Sequence, residues 1–145
     1  MKIAVVYISY FGNTKAIAEK IAKLLNTTDV YGAVFGRFRA FLHMIGLTGG
    51  KYPSQDLSSY DLIYIGGPVW AGNPAGGFKA LLKKLNLTGK KIILFSRAGN
   101  NNPGTVIQTL ERLATEVGAS LVKVFNFNAD CTDEELDTQI KELLA

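Results

Sequence analysis

The stretch VVYISYFGNTKAIAEK, residues 5–20, passes from an apolar run through a polar turn into a helical pattern. It begins with a short apolar run rich in Val and Ile, which predicts a buried strand over residues 2–8. Ile17, Ile21 and Leu24 then recur with the spacing of one helix face. A polar turn therefore joins the carboxyl end of a buried strand to a helix, which is the repeating unit of parallel α/β sheets.

The same alternation continues along the chain. Short apolar runs predict four further strands at residues 29–34, 62–65, 92–95 and 121–125. Stripes of apolar residues predict helices after the last three of them, and Thr132 and Glu135 have capping-box spacing before the final helix. We therefore predict one α/β domain over residues 1–145, built as a three-layer, doubly wound, five-stranded parallel sheet.

The connection at residues 35–56 is the least regular part of the sequence. Its weak apolar pattern around Phe38 and Phe41 predicts one short helix. The run FGRFRAF within it would suit a nucleic-acid or membrane surface, but we expect half-buried rings with solvated arginines and neither of those partners. His43 has no Cys, Asp or Glu nearby in sequence, so we expect a structural role and no metal.

Composition is that of an ordinary soluble domain, with 48% hydrophobic and 19% charged residues in 145. The N-terminal apolar run is too short for a secretory signal or a membrane span. Cys131 is the single cysteine, so an internal disulfide is excluded and a reducing compartment fits. We expect a cytoplasmic protein.

Charge is distributed unevenly along the chain. Residues 1–110 carry 13 Lys and Arg against 4 Asp and Glu, whereas residues 111–145 carry 3 against 8. Such asymmetry bears on partners rather than on fold. It indicates a positive face that would attract anions, nucleotides or an acidic protein, the alternative being solvated lysines on helix surfaces.

Three loops should carry the chemistry, because ligands of open parallel sheets bind beyond the carboxyl ends of the strands. They are residues 9–14, 66–73 and 96–104, which are rich in Gly, Asn, Ser and Thr and hold no carboxylate. The predicted site therefore suits an anion rather than a metal or another cation.

The first loop has the makings of a phosphate cradle. A loop that runs directly into a helix presents backbone amides at the positive end of the helix dipole. Gly12 lets the backbone come close, and Ser9 and Thr14 add hydroxyl donors. The alternative is that Asn13 or Thr14 simply caps the helix. No G-x-G-x-x-G follows the first strand, and Thr105 stands where a P-loop needs lysine, so dinucleotide and triphosphatase fingerprints are absent.

The second and third loops suit a flat ring. Trp70 lies between glycines at a strand end, where an indole needs a flat apolar partner. A planar heterocycle is one such partner; burial in the core or in an oligomer interface is the alternative. The third loop, SRAGNNNPG, offers backbone and amide groups for the polar edge of a ring.

The chain resembles the flavodoxin family, whose phosphate loop has the pattern [ST]-x-T-G-x-T after the first strand. Residues 9–14 match it as SYFGNT, and YDLIYIGGPVWAGN is similar to the family's ring-binding loop. The resemblance implies strand order 2-1-3-4-5 and one non-covalent FMN. It implies the following cofactor-binding residues: Ser9, Tyr10, Phe11, Gly12, Asn13, Thr14, Pro68, Val69, Trp70, Ala71, Gly72, Asn73, Ser96, Arg97, Ala98, Gly99 and Asn100.

Three features depart from the family pattern. Phe11 replaces the usual hydroxyl residue and removes one phosphate contact. The third loop offers Arg97, Ala98 and Asn100 and no aromatic residue to cover the outer flavin face. The chain is basic over residues 1–110, whereas electron-shuttling flavodoxins are typically acidic.

Three functions stay open at this stage. The first is an electron carrier between redox partner proteins. Because the chain is basic, its partners would be acidic. The second is an FMN-dependent NAD(P)H or quinone oxidoreductase, in which Arg37, Arg39 or Arg97 would meet the dinucleotide phosphates. The third is a flavodoxin-fold domain that has lost its flavin.

Overall fold

The structure is a computed structural model that describes residues 1–10, 12–70, 73–98, 103–128 and 131–145. Strands and helices alternate along these residues. In chain order they are β1 (Ile3–Tyr10), α1 (Asn13–Leu24), β2 (Val30–Phe35), α2 (Arg37–Met44), β3 (Leu62–Trp70), β4 (Asn73–Pro74), α3 (Gly76–Lys84), β5 (Lys91–Ala98), α4 (Pro103–Glu116), β6 (Ser120–Asn128) and α5 (Asp133–Leu144).

The sheet has the predicted topology. Its strands lie in the order β2-β1-β3-β5-β6, and every neighbouring pair in that order is parallel. β4 is a two-residue strand that pairs antiparallel with the end of β3. Counted without β4, the five long strands of the described chain run 2-1-3-4-5, so the predicted doubly wound fold is confirmed.

Helices cover both faces of the sheet, because alternate residues of each strand point to opposite sides. Val6 and Ile8 of β1 join the core formed with α3 and α4. Val5 and Tyr7 of the same strand join the core formed with α1 and α5. The result is the predicted three-layer arrangement.

The strands extend further toward the site than the sequence pattern indicated. β3 continues through Gly66, Gly67 and Pro68, where Gly and Pro had predicted its end. Those glycines have a packing role: a Cβ on Gly66 would overlap the ring of Phe95, and one on Gly67 would overlap the ring of Phe78. Much of the predicted loops at residues 66–73 and 96–104 is therefore strand.

The short helix predicted within residues 35–56 is present as α2, but the burial predicted for its rings is wrong. Phe38 and Phe41 are exposed rather than half-buried, and the buried side chain of α2 is His43. The cause is tertiary, since His43 finds hydrogen-bond partners inside the fold. No helix in the described ranges has the length and apolar character needed to cross a bilayer.

Candidate functional site

The three predicted loops meet at one cavity beyond the carboxyl ends of β1, β3 and β5. The cavity has a volume of about 140 Å³. Its lining combines Tyr10, Asn13 and Thr14 from the first loop, Pro68, Val69 and Trp70 from the second, and Arg97 from the third. None of these seven residues is a carboxylate, so the described lining matches the anion-accepting chemistry expected from the sequence.

The first turn of α1 has no capping side chain at its N-cap position. The N-cap residue is Gly12, with φ 87° and ψ 0°, and no side chain hydrogen-bonds there in a capping role. The alternative that Asn13 or Thr14 caps this helix is therefore wrong. Ser9 is buried, and its Oγ accepts a hydrogen bond from the Lys15 amide at 3.2 Å. Because the N-cap residue is glycine, no N-cap side chain competes for the amides of the first turn, of which the Lys15 amide is already bonded to Ser9.

Tyr10 takes part through a buried hydrogen bond that the sequence did not reveal. Its hydroxyl bonds to Nδ1 of His43, and Nε2 of His43 bonds to the Gly49 carbonyl oxygen at 2.8 Å. Because a carbonyl only accepts, Nε2 of His43 donates to Gly49, which leaves Nδ1 as the atom that can accept from the Tyr10 hydroxyl. Burial, with a smaller contribution from Tyr52, raises the pKa of Tyr10 above its ordinary 10.0, so the hydroxyl keeps its proton at neutral pH.

Aromatic rings tie residues 35–52 to the rim of the sheet. Tyr10 packs on Trp70 with ring centroids 4.7 Å apart and on Phe35 at 5.7 Å. Phe35 contacts His43 at 5.1 Å and Tyr52 at 5.5 Å. Trp70 is thus half-buried against this cluster, between the cavity and the core. The cluster gives the long connection a structural role: it supports the indole that lines the cavity.

Gly77 makes room for the Tyr10–His43 hydrogen bond. A Cβ at this position would overlap the Tyr10 hydroxyl oxygen and would stand 3.0 Å from Nδ1 of His43. Glycine near the start of α3 is therefore required by the close approach of another side chain rather than by a turn.

Residues 96–98 of the third loop are the end of β5, which places Ser96 and Arg97 near the cavity. Ser96 is buried, and its hydroxyl donates to Oδ1 of Asn126 on β6 at 2.8 Å. Arg97 is partly buried and lines the cavity. Ser96 is therefore committed to strand packing by its side chain, and Arg97 is the cation that the described part of the site provides.

The predicted site residues fall into four groups, with Ser96, described above, among those held in strands. Those that line the cavity have been named above; Gly12 and Ser9 shape its first turn. Asn73 lies in β4 opposite Trp70, and Ala98 ends β5 opposite Asn128. Phe11, Ala71, Gly72, Gly99 and Asn100 lie outside the described residues. Contact of each residue with a cofactor stays a prediction.

The residues that sequence analysis missed act behind the cavity. His43, Phe35 and Tyr52 support Tyr10 and Trp70, yet they come from an irregular segment with no motif. The structural role expected of His43 agrees with its two ring hydrogen bonds, to Tyr10 and to the Gly49 carbonyl oxygen. The Gly76-Gly77 pair was the one local signal of close packing.

Comparison of the fold with solved structures gives flavoproteins and flavodoxins. A flavoprotein from Lactobacillus acidophilus NCFM in complex with FMN is 24% identical, covers 95% of this chain and 97% of its own, and has a TM-score of 0.68. Oxidised flavodoxin 1 from Bacillus cereus is 21% identical, with coverage of 99% and 95% and a TM-score of 0.61. At these identities the likeness establishes the fold.

Comparison of the sequence with family models establishes the family. The flavodoxin domain family matches residues 4–143, which is nearly the whole chain. Comparison with curated proteins gives no match. The strand order, the cavity at the switch point and the family match agree with one another, and the chain belongs to the flavodoxin family.

Proposed function

We propose that the chain binds FMN non-covalently at the strand-end cavity and carries electrons between redox proteins. The observation that carries the proposal is the convergence of three carboxylate-free segments on one cavity, in a chain whose family match spans residues 4–143. A related structure was solved in complex with FMN.

The described residues fit such a cofactor. Residues 9–14 would hold the phosphate, because the space beside Gly12 is open, with no atom within 4 Å of where a Cβ would be, and a phosphate could approach its backbone closely. Trp70, supported by Tyr10, would offer a flat wall to the ring system, and Arg97 adds positive charge at the rim. The described lining contains no carboxylate, so no negative charge there would repel the phosphate or a reduced, anionic ring.

The cofactor and the protein would have different roles at this site. FMN, when bound, supplies the redox chemistry. The chain binds the phosphate, orients the ring beside Trp70 and keeps the neighbouring Tyr10 hydroxyl protonated through burial. The packing of Trp70 and Tyr10 would therefore determine the environment of the ring on this side of the cavity.

The test is reconstitution of the purified protein with riboflavin 5′-phosphate. We expect a yellow protein with flavin absorption bands, quenched flavin fluorescence and one FMN released per chain on denaturation. Titration with dithionite should then reduce the flavin in two resolved one-electron steps. A colourless protein that takes up no FMN at millimolar excess would contradict the proposal and favour the flavin-free alternative.

A second candidate function has one observation in its favour. Of the three arginines considered for dinucleotide phosphates, Arg97 lies at the cavity, whereas Arg37 and Arg39 lie on α2 outside its lining. An NAD(P)H or quinone oxidoreductase would use that charge beside the outer ring face. Steady-state oxidation of NADPH by a quinone tests this function; if the FMN-loaded protein gives no turnover, the carrier role is favoured.

A further inference from the structure

The helix α2 and the turn after it expose an unusual number of large apolar side chains. Nine large hydrophobic residues are exposed in the described chain, and five of them fall within residues 38–47. These five form what we call the apolar patch: Phe38 (73% exposed), Phe41 (55%), Met44 (68%), Ile45 (58%) and Leu47 (59%). Single exposed hydrophobic residues are normal, whereas clusters indicate a contact surface.

Met44 of the apolar patch lines a groove between α2 and α3, and the other four patch residues lie on α2 or within three residues of its end. This α2–α3 groove has a volume of about 780 Å³, and its lining runs from Met44 and Thr48 on one side to Lys79 and Lys83 on the other. Trp70 lies in the lining of both the groove and the strand-end cavity. A partner side chain in the groove would therefore be separated from the proposed FMN site by the indole of Trp70.

The groove wall on α3 is positively charged, and one carboxylate, that of Glu116 on α4, lines a neighbouring cavity together with Lys83 and Lys84. Lys79, Lys83 and Lys84 line it, and the sequence has no Asp or Glu in residues 30–55 or 62–110. The ion pairs found among the described residues, Lys15–Glu19 and Lys20–Asp137, lie on α1 and α5 at the other face of the sheet. Lys84 has its ammonium 5.3 Å from the centre of the Tyr52 ring, and Lys83 is exposed.

We propose that the apolar patch and the α2–α3 groove together form the docking surface for an acidic electron-transfer protein. The inference rests on the proposed function and adds the place and chemistry of partner recognition. An apolar side chain of the partner would enter the groove, and its carboxylates would face the lysines of α3. In the transfer that docking serves, the reduced partner loses one electron and the bound flavin gains it.

Shape favours a protein over a membrane. An anionic bilayer would also attract basic and apolar residues. A bilayer surface, however, meets protruding side chains and would leave a concave groove of this size unfilled. A protein can fill it with a protruding side chain and place charges around that contact.

The experiment measures binding of a defined acidic redox protein, a plant-type [2Fe–2S] ferredoxin, by isothermal titration calorimetry at an ionic strength of about 0.1 M, where the Debye length is about 10 Å. The double variant Lys79→Glu/Lys83→Glu should raise Kd about ten-fold or more, because opposite charges attract across the interface. The double variant Lys23→Glu/Lys141→Glu, on α1 and α5 at the opposite face, changes the charge by the same amount and should leave Kd within about two-fold.

The apolar contribution is tested with Phe41→Ser/Met44→Ser, for which Val122→Ser is the control because Val122 is also exposed, on β6. The first variant should weaken ferredoxin binding, and the second should not. All four sets of positions lie at the surface, and unchanged circular dichroism and urea midpoints verify folding.

The outcomes separate the two proposals. Measurements are made on both FMN-loaded and FMN-free protein. Equal Kd values for groove and control variants, or no ferredoxin binding, would overturn the docking surface even if FMN binds. Binding to phosphatidylserine vesicles that is lost in the groove variants, without ferredoxin binding, would overturn it in favour of a membrane. Failure to bind FMN with intact ferredoxin docking would overturn the proposed function alone.

Discussion

Replacing Tyr10 by Phe should lower the free energy of unfolding by about 2 kcal/mol. The ring would keep its contacts with Trp70 at 4.7 Å and Phe35 at 5.7 Å, so the change removes the hydroxyl alone. Nδ1 of His43 would then be a buried acceptor without a donor, which costs about 1–3 kcal/mol. Water cannot replace the donor easily, because Tyr10 and His43 are 4% and 3% exposed.

The assay is urea unfolding followed by tryptophan fluorescence and far-ultraviolet circular dichroism. Trp70 is the single tryptophan and packs on Tyr10, so its emission reports on this cluster. Tyr31→Phe is the matched control, since it also removes a hydroxyl bonded to another side chain, Tyr60 Oη at 2.7 Å. Tyr31 is partly exposed, so water should compensate and the loss should stay below about 1 kcal/mol.

A double-mutant cycle sharpens the test. Gly77→Ala should be destabilising, because its Cβ would overlap the Tyr10 hydroxyl oxygen. In the Tyr10→Phe background that overlap is absent, so the two changes should be less than additive by more than about 0.5 kcal/mol. Additive effects, or a Tyr10→Phe loss no larger than that of Tyr31→Phe, would refute the assignment of this buried hydrogen bond.

Three further predictions follow from the described residues. Gly12→Ala should cost about 1–2 kcal/mol in urea unfolding because of its φ of 87°, whereas Gly36→Ala, with φ −88° and no atom within 4 Å of the new Cβ, should change stability by less than about 0.5 kcal/mol. Trp70→Ala should raise the Kd for FMN about ten-fold or more in fluorescence titrations, and Trp70→Phe should retain most of the affinity; equal Kd values would contradict a stacking role. Burial raises the pKa of Tyr64 above its ordinary 10.0, so above about pH 10 the unfolded chain loses this proton before the folded chain does, and stability falls as pH rises. Tyr64→Phe should therefore lose less stability than the unaltered protein between about pH 9 and pH 11, and parallel urea-midpoint curves would show the reasoning to be wrong.

The layered fold was predictable because each strand and each long helix carries its own pattern. The apolar run before Ser9 and the stripe through Ile17 and Ile21 identify their elements without reference to the rest of the chain. Strand ends were less predictable. Gly66 and Gly67 had the composition of a turn, yet the rings of Phe95 and Phe78 occupy the space beside them, and those rings come from distant parts of the chain.

The site was predictable to a similar extent. The absence of carboxylates and the order of the three loops follow from sequence, and the cavity that joins them agrees with the switch-point rule. His43 was not predictable as a partner of Tyr10, since 33 positions separate the two residues and no motif links them. The exposure of Phe38 and Phe41 was also unpredictable, because Phe is among the residue types most often buried.

Local sequence patterns were sufficient to identify which segments become strands and helices, how these form a parallel sheet, and that the three strand-end loops hold no carboxylate. These properties depend on local periodicity, local charge and short turns. Tertiary structure alone decided that residues 35–52 pack behind Trp70 through a buried tyrosine–histidine hydrogen bond, and that an apolar patch opens beside a row of lysines. The physical reason is that burial and pairing arise from side chains that are far apart along the chain, so no local pattern contains them.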